Sequence, residues 1–572
     1  MASIFQDTFI DYLLRLSLGI RIAPHAEELD SSLWPDMIHQ EKTTDTEHPP
    51  HQEDRKRTSA VPSVEEVQQD DQNTHTLSPR SSATRVLDTE GVGASDTEKG
   101  EATILLVDWY GPDDPAKPLN WSRNKKFWVL FQTCLWTFTM YIGSSIYTAG
   151  IPGVAEDFGV SAVAATVGLT AFVAGYGIGP MFLSPMSEIP QIGRMPIYIV
   201  TCVLFTVLQV PTALATNYGM LIAFRFITGF VGSPILATGG ATIADMFIPQ
   251  KRSYGIALWG LFGVAAPSLG PLVGGFAAHA KTWRWTLWEL MWVSGFTATV
   301  LFLFFPETSH SNILYRRAAR LRRLTRNPHI MSQSEIDARH MTAGDVAMMM
   351  LVRPFTLNFQ EPIVLMLNLY LALIYALLYC WFESFPIVFG GIYGFAPQHV
   401  GLAFLGVLVG SIVVIPPFFS YLYYHQEPQY NERNELKPEK RMPTAIVGAF
   451  FVPVCLFWFG WSARPSIHWI MPIIGSSFFS IAGILLFNSV LNYLADAYPL
   501  YAASVLAGND LMRSLFGAAF PLFAGAMYRN LGTGWASTLL GLLSCAFIPI
   551  PILLYVYGER IRMVSKRARH DI

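Results

Sequence analysis

Four ionisable residues lie inside long apolar runs of this chain: Arg225, Glu383, Asp510 and Arg513. A charged side chain at the centre of a bilayer costs about 2.5–3.5 kcal/mol on insertion scales, so each is a functional candidate. Their types suit proton exchange. Burial favours the neutral form of a carboxyl and a neighbouring guanidinium favours the ionised form. A buried acid near an arginine therefore gains or loses a proton when the two move relative to one another. Glu383 is the first candidate for the carrier, and Arg225 for the partner that biases its protonation or holds an anionic group. Each residue also has a plainer reading. Arg225 fixes helix packing through backbone carbonyls, Glu383 reaches water, and Asp510 and Arg513, three apart on one helix, neutralise each other.

Such residues need apolar elements to hold them, and the composition supplies these. Of 572 residues, 52% are hydrophobic and 14% charged, and the mean hydropathy is +0.34; a soluble protein of this size is excluded. Windows of about 19 residues place apolar segments at 127–149, 162–185, 196–215, 219–247, 253–278 and 286–305. A second set falls at 362–389, 400–424, 442–461, 469–494, 502–527 and 535–557. Each has the ~20 residues that cross about 30 Å of hydrocarbon. The fold class is therefore all-α and polytopic, with twelve crossings in two sets of six.

The expected organisation is a cytosolic tail over 1–126, a first bundle over 127–305, a basic linker over 306–361, a second bundle over 362–557 and a basic cytosolic tail over 558–572. From Pro35 to Glu101 the tail is polar and poor in aromatics, the composition of disorder. Near 3–20 an amphipathic helix is expected, with Asp11 and Arg15 as an (i, i+4) pair opposite Phe9, Leu13 and Leu16. It lies either on the membrane surface or on the protein's own cytosolic face. The five cysteines are scattered through apolar segments, without metal-ligand spacing.

Lysine and arginine set the orientation. They gather before the first span (Arg123, Lys125, Lys126), between the fourth and fifth (Lys251, Arg252), in the linker from Arg316 to Arg326, before the ninth, and after the last. Lys281 and Arg284 dissent after the fifth. Both termini are expected to be cytosolic, in a multi-pass protein of the cell-surface membrane. The two halves also echo one another: Ala244-Asp245 closes the fourth span and Ala495-Asp496 the tenth, while Leu261 to Pro267 matches Leu515 to Pro521. Inverted or repeated halves build midplane sites that open to either side.

In the fifth span Gly263, Pro267, Gly270 and Gly274 fall on one helix face, where small residues let a second helix approach. The run Ala266-Pro267-Ser268-Leu269-Gly270-Pro271-Leu272-Val273-Gly274-Gly275 resembles the antiporter motif of drug:proton antiporters in the major facilitator superfamily. The loop holding Gly179, Glu188, Gly193 and Arg194 resembles the superfamily's cytosolic loop motif, with four extra residues, Ile189 to Ile192. Further strings are similar to the fungal twelve-span drug:proton antiporters: Pro112-Asp113-Asp114-Pro115, Pro118-Leu119-Asn120-Trp121, Pro306-Glu307-Thr308, Phe382 to Phe389, Asn492 to Tyr498 and Arg513-Ser514 through Phe523.

The resemblance implies two pseudo-symmetric six-helix bundles around a central cavity lined by spans four, seven and eleven, where Arg225, Glu383, Asp510 and Arg513 would meet proton and cargo. It makes Glu188, Arg194 and Asp245 the cytosolic gate. Tyr147, Phe262, Tyr375 and Tyr379 would offer cargo stacking faces, as would Trp381, Phe385, Phe478 and Phe479; Asn488 and Asn492 would add amide hydrogen bonds. The implied function is export of small hydrophobic or weakly basic toxic compounds or secondary metabolites. No cofactor or metal is expected, only a proton gradient, with protons, membrane lipid and small molecules as partners, no nucleic acid, and a monomer. A proton entering down 100 mV releases about 2.3 kcal/mol and each pH unit adds about 1.4, enough together for a gradient of several hundredfold. The alternative is a proton symporter importing a nutrient through the same fold. An enzyme is not expected, because neither a His cluster nor paired intramembrane aspartates occur.

Overall fold

The structure, a computed structural model, describes residues 7–17, 24–41, 104–339, 344, 348 and 352–571. Most of the stretch expected to be disordered, from 42 onward, lies outside the described residues, as do both ends of the helix expected near 3–20.

The body is built of helices. Among the described residues, ten helical stretches are long and apolar enough to cross a membrane. One of them, Ala502–Val564, has 63 residues, enough for two crossings. It is divided at Gly532, whose φ of 75° and ψ of 159° leave the helical region, and it supplies α11 and α12. The helix Arg123–Ser145, α1, completes the twelve. Polarity keeps α1 below the apolarity of the others: Gln132, Thr133, Thr137, Thr139, Ser144 and Ser145 are all buried in protein. The threonine and serine hydroxyls among them bond within the bundle, as where Thr133 donates to the Val129 carbonyl at 3.0 Å.

The remaining helices are α2 (Ala162–Met186), α3 (Arg194–Ala213), α4 (Tyr218–Met246), α5 (Pro249–Ala280) and α6 (Trp283–Phe304), then α7 (Pro362–Ile392), α8 (Pro397–Gln429), α9 (Pro438–Ser462) and α10 (Ile470–Ala497). The last turns of α7, Pro386–Ile392, widen into a π-helix.

Two seams join the bundles. Along one, α2 meets α11: a Cβ on Gly177 would overlap the Ser514 side chain, and Thr170 donates to the Ala518 carbonyl at 2.8 Å. Along the other, α5 is held on two sides. Towards its own bundle, a Cβ on Gly270 would overlap Ser145 and one on Gly274 the carbonyl of Ile146. Towards the second bundle, Gly401 of α8 lies against the Pro271 carbonyl, and a Cβ on Gly275 would meet the Pro397 carbonyl oxygen at 3.2 Å. Gly263, by contrast, has only the Tyr141 ring at an ordinary 3.5 Å. The expected small-residue face is therefore tight over its second half and loose over its first. Through Pro267 and Pro271 α5 stays one helix of 32 residues.

At the end carrying the Lys- and Arg-rich loops, a small layer covers the first bundle. The helix Phe9–Ser17 carries the expected Asp11–Arg15 pair at 2.9 Å. Of its two readings, docking on the protein is the one seen: the Phe9 and Phe302 rings lie 5.3 Å apart. A three-stranded sheet pairs β1 (Ile38–Glu41) antiparallel with β2 (Ile104–Val107), and β2 parallel with β3 (Ile330–Ser332). Beneath it runs the linker helix His310–Thr325. Its Arg317 reaches the buried Asp114 at 2.7 Å, and its Arg320 the buried Glu27 at 2.6 Å. These arginines, expected only as markers of orientation, also fasten the layer.

Candidate functional site

Between the bundles lies a cavity of about 820 Å³. Its walls come from both halves: Thr137 and Tyr141 of α1, Thr238 of α4, Trp259 and Gly263 of α5, Tyr375 of α7, Asn488 and Asn492 of α10, and Asn509, Asp510 and Arg513 of α11. The lining runs out to Glu188, Arg252 and Arg353 at the end with the basic loops. At the inner end a hydrogen-bonded cluster of hydroxyls closes it. Tyr176 of α2 bonds to Tyr375 and, at 2.7 Å, to Tyr379 of α7, and Tyr379 bonds to Ser144 of α1 at 2.8 Å. Because each bond joins one bundle to the other, the cluster ties the halves together above the cavity.

The four intramembrane charges occupy three different places. Arg225, fully buried, donates through Nε to the Gly168 carbonyl at 3.0 Å and through Nη1 to the Gly143 carbonyl at 2.8 Å. It is flanked by the rings of Phe172 and Tyr147, at 4.3 and 4.6 Å. Three helices of the first bundle are stapled by this one side chain, as its plainer reading has it. Glu383 lies beyond the tyrosine cluster, half-buried, near the opposite end. Thr166 donates to its Oε1 at 3.5 Å. A Cβ on Gly525 would touch both Glu383 Oε2, at 3.2 Å, and Arg529 Nη2, at 3.3 Å, so the nearby cation is Arg529 across a bare glycine. The expected pairing of Glu383 with Arg225 is corrected: Arg225 bonds to backbone, and Glu383 does not line the cavity. Asp510 and Arg513 do line it, as an ion pair on one helix face.

Tyr375, Phe479, Asn488 and Asn492 are the expected cargo residues found in the lining. The others are placed elsewhere by packing. Tyr147 donates to the Ala165 carbonyl at 2.9 Å beneath Arg225. Tyr379 belongs to the closing cluster, and Phe262 lies 6.5 Å from Phe138 between helices. Trp381 and Phe385 stack within the second bundle on Phe459, and Phe478 packs between Phe451 and Trp458 of α9. Asn509, Tyr141 and Tyr176 were missed. Tyr176 stands in Gly175-Tyr176-Gly177, whose glycines admit α4 and α11; the tyrosine between them carries the closure.

At the basic end two of the residues expected in the gate pair, Arg194 with Asp245 at 2.6 Å, while Glu188 has no ion pair among the described residues. Glu307 was also missed. It accepts the backbone N–H groups of Arg194 and Met195 at 3.1 and 3.2 Å, and of Thr308 and Ser309 at 3.0 and 2.9 Å. Gly193, at φ 79°, lets the chain turn tightly enough to present those groups. The second half repeats the pair: Arg441 meets Asp496 at 2.6 Å. The sequence signal was available, since Arg194-Met195-Pro196 recurs as Arg441-Met442-Pro443. Arg441 also donates to Ser253 of the first bundle at 2.9 Å.

A family model described as the Major Facilitator Superfamily matches residues 133–521, more than half of the chain. The chain belongs to the major facilitator superfamily. Like other members of the superfamily it is a transporter, not an enzyme. Among curated superfamily members, Transporter mfs1 of Schizosaccharomyces pombe is 45% identical over 471 residues, 81% of this chain and 89% of that protein. Multidrug transporter FLR2 of Candida glabrata is 43% identical, with 82% and 80% covered. Fluconazole resistance protein 1 of Saccharomyces cerevisiae is 42% identical, with 80% and 84% covered. Among solved structures, the proton:xylose symporter XylE aligns over 76% of this chain and 96% of its own, with a TM-score of 0.53 at 14% identity. That likeness carries the fold alone.

Proposed function

We propose that this transporter exports small hydrophobic or weakly basic toxic compounds, or secondary metabolites, from the cytosol in exchange for protons. The observation that carries the reading is the cavity of about 820 Å³ between the bundles. It is large enough for a drug-sized molecule, bounded by both halves and, among the described residues, lined from Tyr375 out to Glu188, Arg252 and Arg353 at the basic end. By the distribution of Lys and Arg that basic end is cytosolic, as are both termini, and in this reading the membrane is that of the cell surface. Relatives named for multidrug and fluconazole resistance support the cargo class.

In this reading cargo enters from the cytosol. Opening to the outside requires the Tyr176, Tyr375, Tyr379 and Ser144 cluster to part while the basic ends draw together. Glu383 and Arg529, at the outer end, then meet external water. A proton on Glu383 removes its attraction to Arg529 and resets the outer end, which couples inward proton movement to outward cargo. The protein acts as a monomer within the lipid, with no cofactor. The test is the accumulation of a panel of fluorescent drugs in cells with and without the protein, repeated with a protonophore. Lower accumulation that depends on the protein and vanishes with the protonophore is expected; equal accumulation in both cell types contradicts the proposal.

A further inference from the structure

The short helix Arg353–Gln360 leads directly into α7 at the basic end of the second bundle. It has two unlike faces. Pro354, Leu357 and Asn358 are buried, and the Pro354 carbonyl oxygen lies 3.3 Å from where a Cβ on Gly508 of α11 would stand. Val352, Phe355 and Phe359, spaced three and four apart, form an exposed apolar stripe, and Met348 ahead of them is exposed as well. At the end of a membrane span, such a stripe meets the boundary between headgroups and acyl chains. Beside it opens a pocket of about 240 Å³, whose lining joins Met348 and Val352 to two arginines, Arg353 and Arg567, together with Thr356 and Tyr501. The Tyr501 ring steadies Arg353, 5.4 Å from its guanidinium carbon.

Both arginines are partly exposed, and among the described residues neither pairs with a carboxylate. The described acids nearest to them in sequence are engaged elsewhere, Asp571 with Arg569 and Glu361 with the Tyr498 hydroxyl. Two like charges lining one small pocket favour an anion there, and a guanidinium matches a phosphate through paired N–H bonds. The apolar stripe adds a second requirement. A soluble phosphate leaves Val352, Phe355 and Phe359 bare, and a zwitterionic lipid brings a cation of its own to the arginines. We infer that this pocket binds an anionic phospholipid of the leaflet at the basic end, its phosphate held by Arg353 and Arg567 and its acyl chains lying along the stripe. Arg353 also lines the mouth of the central cavity, so the headgroup stands beside the entrance. The inference involves neither cargo nor proton and is independent of the export reading.

The test titrates fluorescent phosphatidylserine, and its phosphatidylcholine counterpart, into the purified full-length protein in an uncharged detergent. The wild-type chain is compared with Arg353→Gln/Arg567→Gln and with Arg433→Gln/Lys440→Gln, which removes the same charge from exposed positions outside the pocket. Thermal melts check that all three are folded. Phosphatidylserine is expected to bind the wild-type chain and the second variant alike, and the pocket variant about thirtyfold less tightly, the effect of two surface cations. Phosphatidylcholine should bind the wild-type chain more weakly than phosphatidylserine, a comparison that depends on no variant. Equal affinity of the pocket variant and the wild-type chain for phosphatidylserine overturns the inference, as does equal binding of the two lipids, or of neither, to the wild-type chain. Displacement of the probe by inorganic phosphate as readily as by unlabelled phosphatidylserine marks a site for a soluble anion and overturns the lipid assignment.

Discussion

Arg225 joins three helices through two backbone carbonyls, so its loss is expected to be felt first in folding. Arg225→Ala removes both bonds to the Gly143 and Gly168 carbonyls and opens a void between the Tyr147 and Phe172 rings, and should cost about 3 kcal/mol. A fall in melting temperature with weak surface expression is the measure; an unchanged melt would remove the staple. Glu383 is expected to behave in the opposite way. Glu383→Gln keeps the side-chain shape and its contact with Thr166, so folding and insertion should survive while proton-driven export is abolished; export at wild-type rates across all gradients would clear Glu383 of a coupling role. Hydropathy and helical spacing told which residues lie within the membrane and how deep. They did not tell which neighbour each side chain faces. Tyr375, Asn488, Asn492, Asp510 and Arg513 face the cavity, whereas Trp381 and Phe385, on the same helix as Tyr375, turn into the second bundle. That rotation is set by tertiary packing, which the spacing along one helix does not encode.

At the scale of elements, α5 is the helix on which the bundles meet. Gly270→Val pushes a branched side chain into Ser145 and Ile146 and is expected to destabilise the protein by about 1–3 kcal/mol or more. Gly263→Ala, beside open space, should be nearly silent in the same melt. Equal effects at the two glycines would contradict the packing described. Pro267→Ala is expected to weaken transport with normal expression, since α5 is held between its own bundle and α8 along one of the two seams; unchanged transport would reduce that proline to packing. The small-residue pattern announced a close approach, but not that α5 is approached from two sides. For α1 the difficulty was reversed. Its apolar window over 127–149 marked it as a crossing, but not the hydroxyl-rich face that it buries in the bundle. The sheet of β1, β2 and β3 could not be foreseen, because Ile38 and Val107, which pair in it, are separated by a long polar stretch.

Across the whole molecule, the two halves use one device at the basic end: Arg194 with Asp245 and Arg441 with Asp496, both at 2.6 Å. The Ala-Asp repeat pointed to it, and the recurring Arg-Met-Pro completes it. Asp245→Asn and Asp496→Asn are expected to lower the melting temperature by similar amounts. The docked N-terminal layer adds a pH dependence. Burial lowers the pKa of His25 from the ordinary 6.5, opposed by Asp7 and Glu27 and aided by Arg320 and Arg15. A neutral His25 is therefore favoured in the docked state. Docking should be fully stable above about pH 6.5 and weaken as pH falls below it. Hydrogen exchange across 24–41, corrected for intrinsic rates, should show faster opening near pH 5.5 than near 7.5; equal protection would contradict this.

The central claim is that a proton gradient drives cargo through the cavity between the bundles, and reconstituted vesicles test it most directly. With purified protein in liposomes and no nucleotide, an imposed pH gradient should drive a fluorescent drug towards the acidic compartment, and collapse of the gradient should stop it. Glu383→Gln should abolish this movement. Drug movement that ignores the gradient, or that proceeds unchanged in Glu383→Gln, would contradict the account.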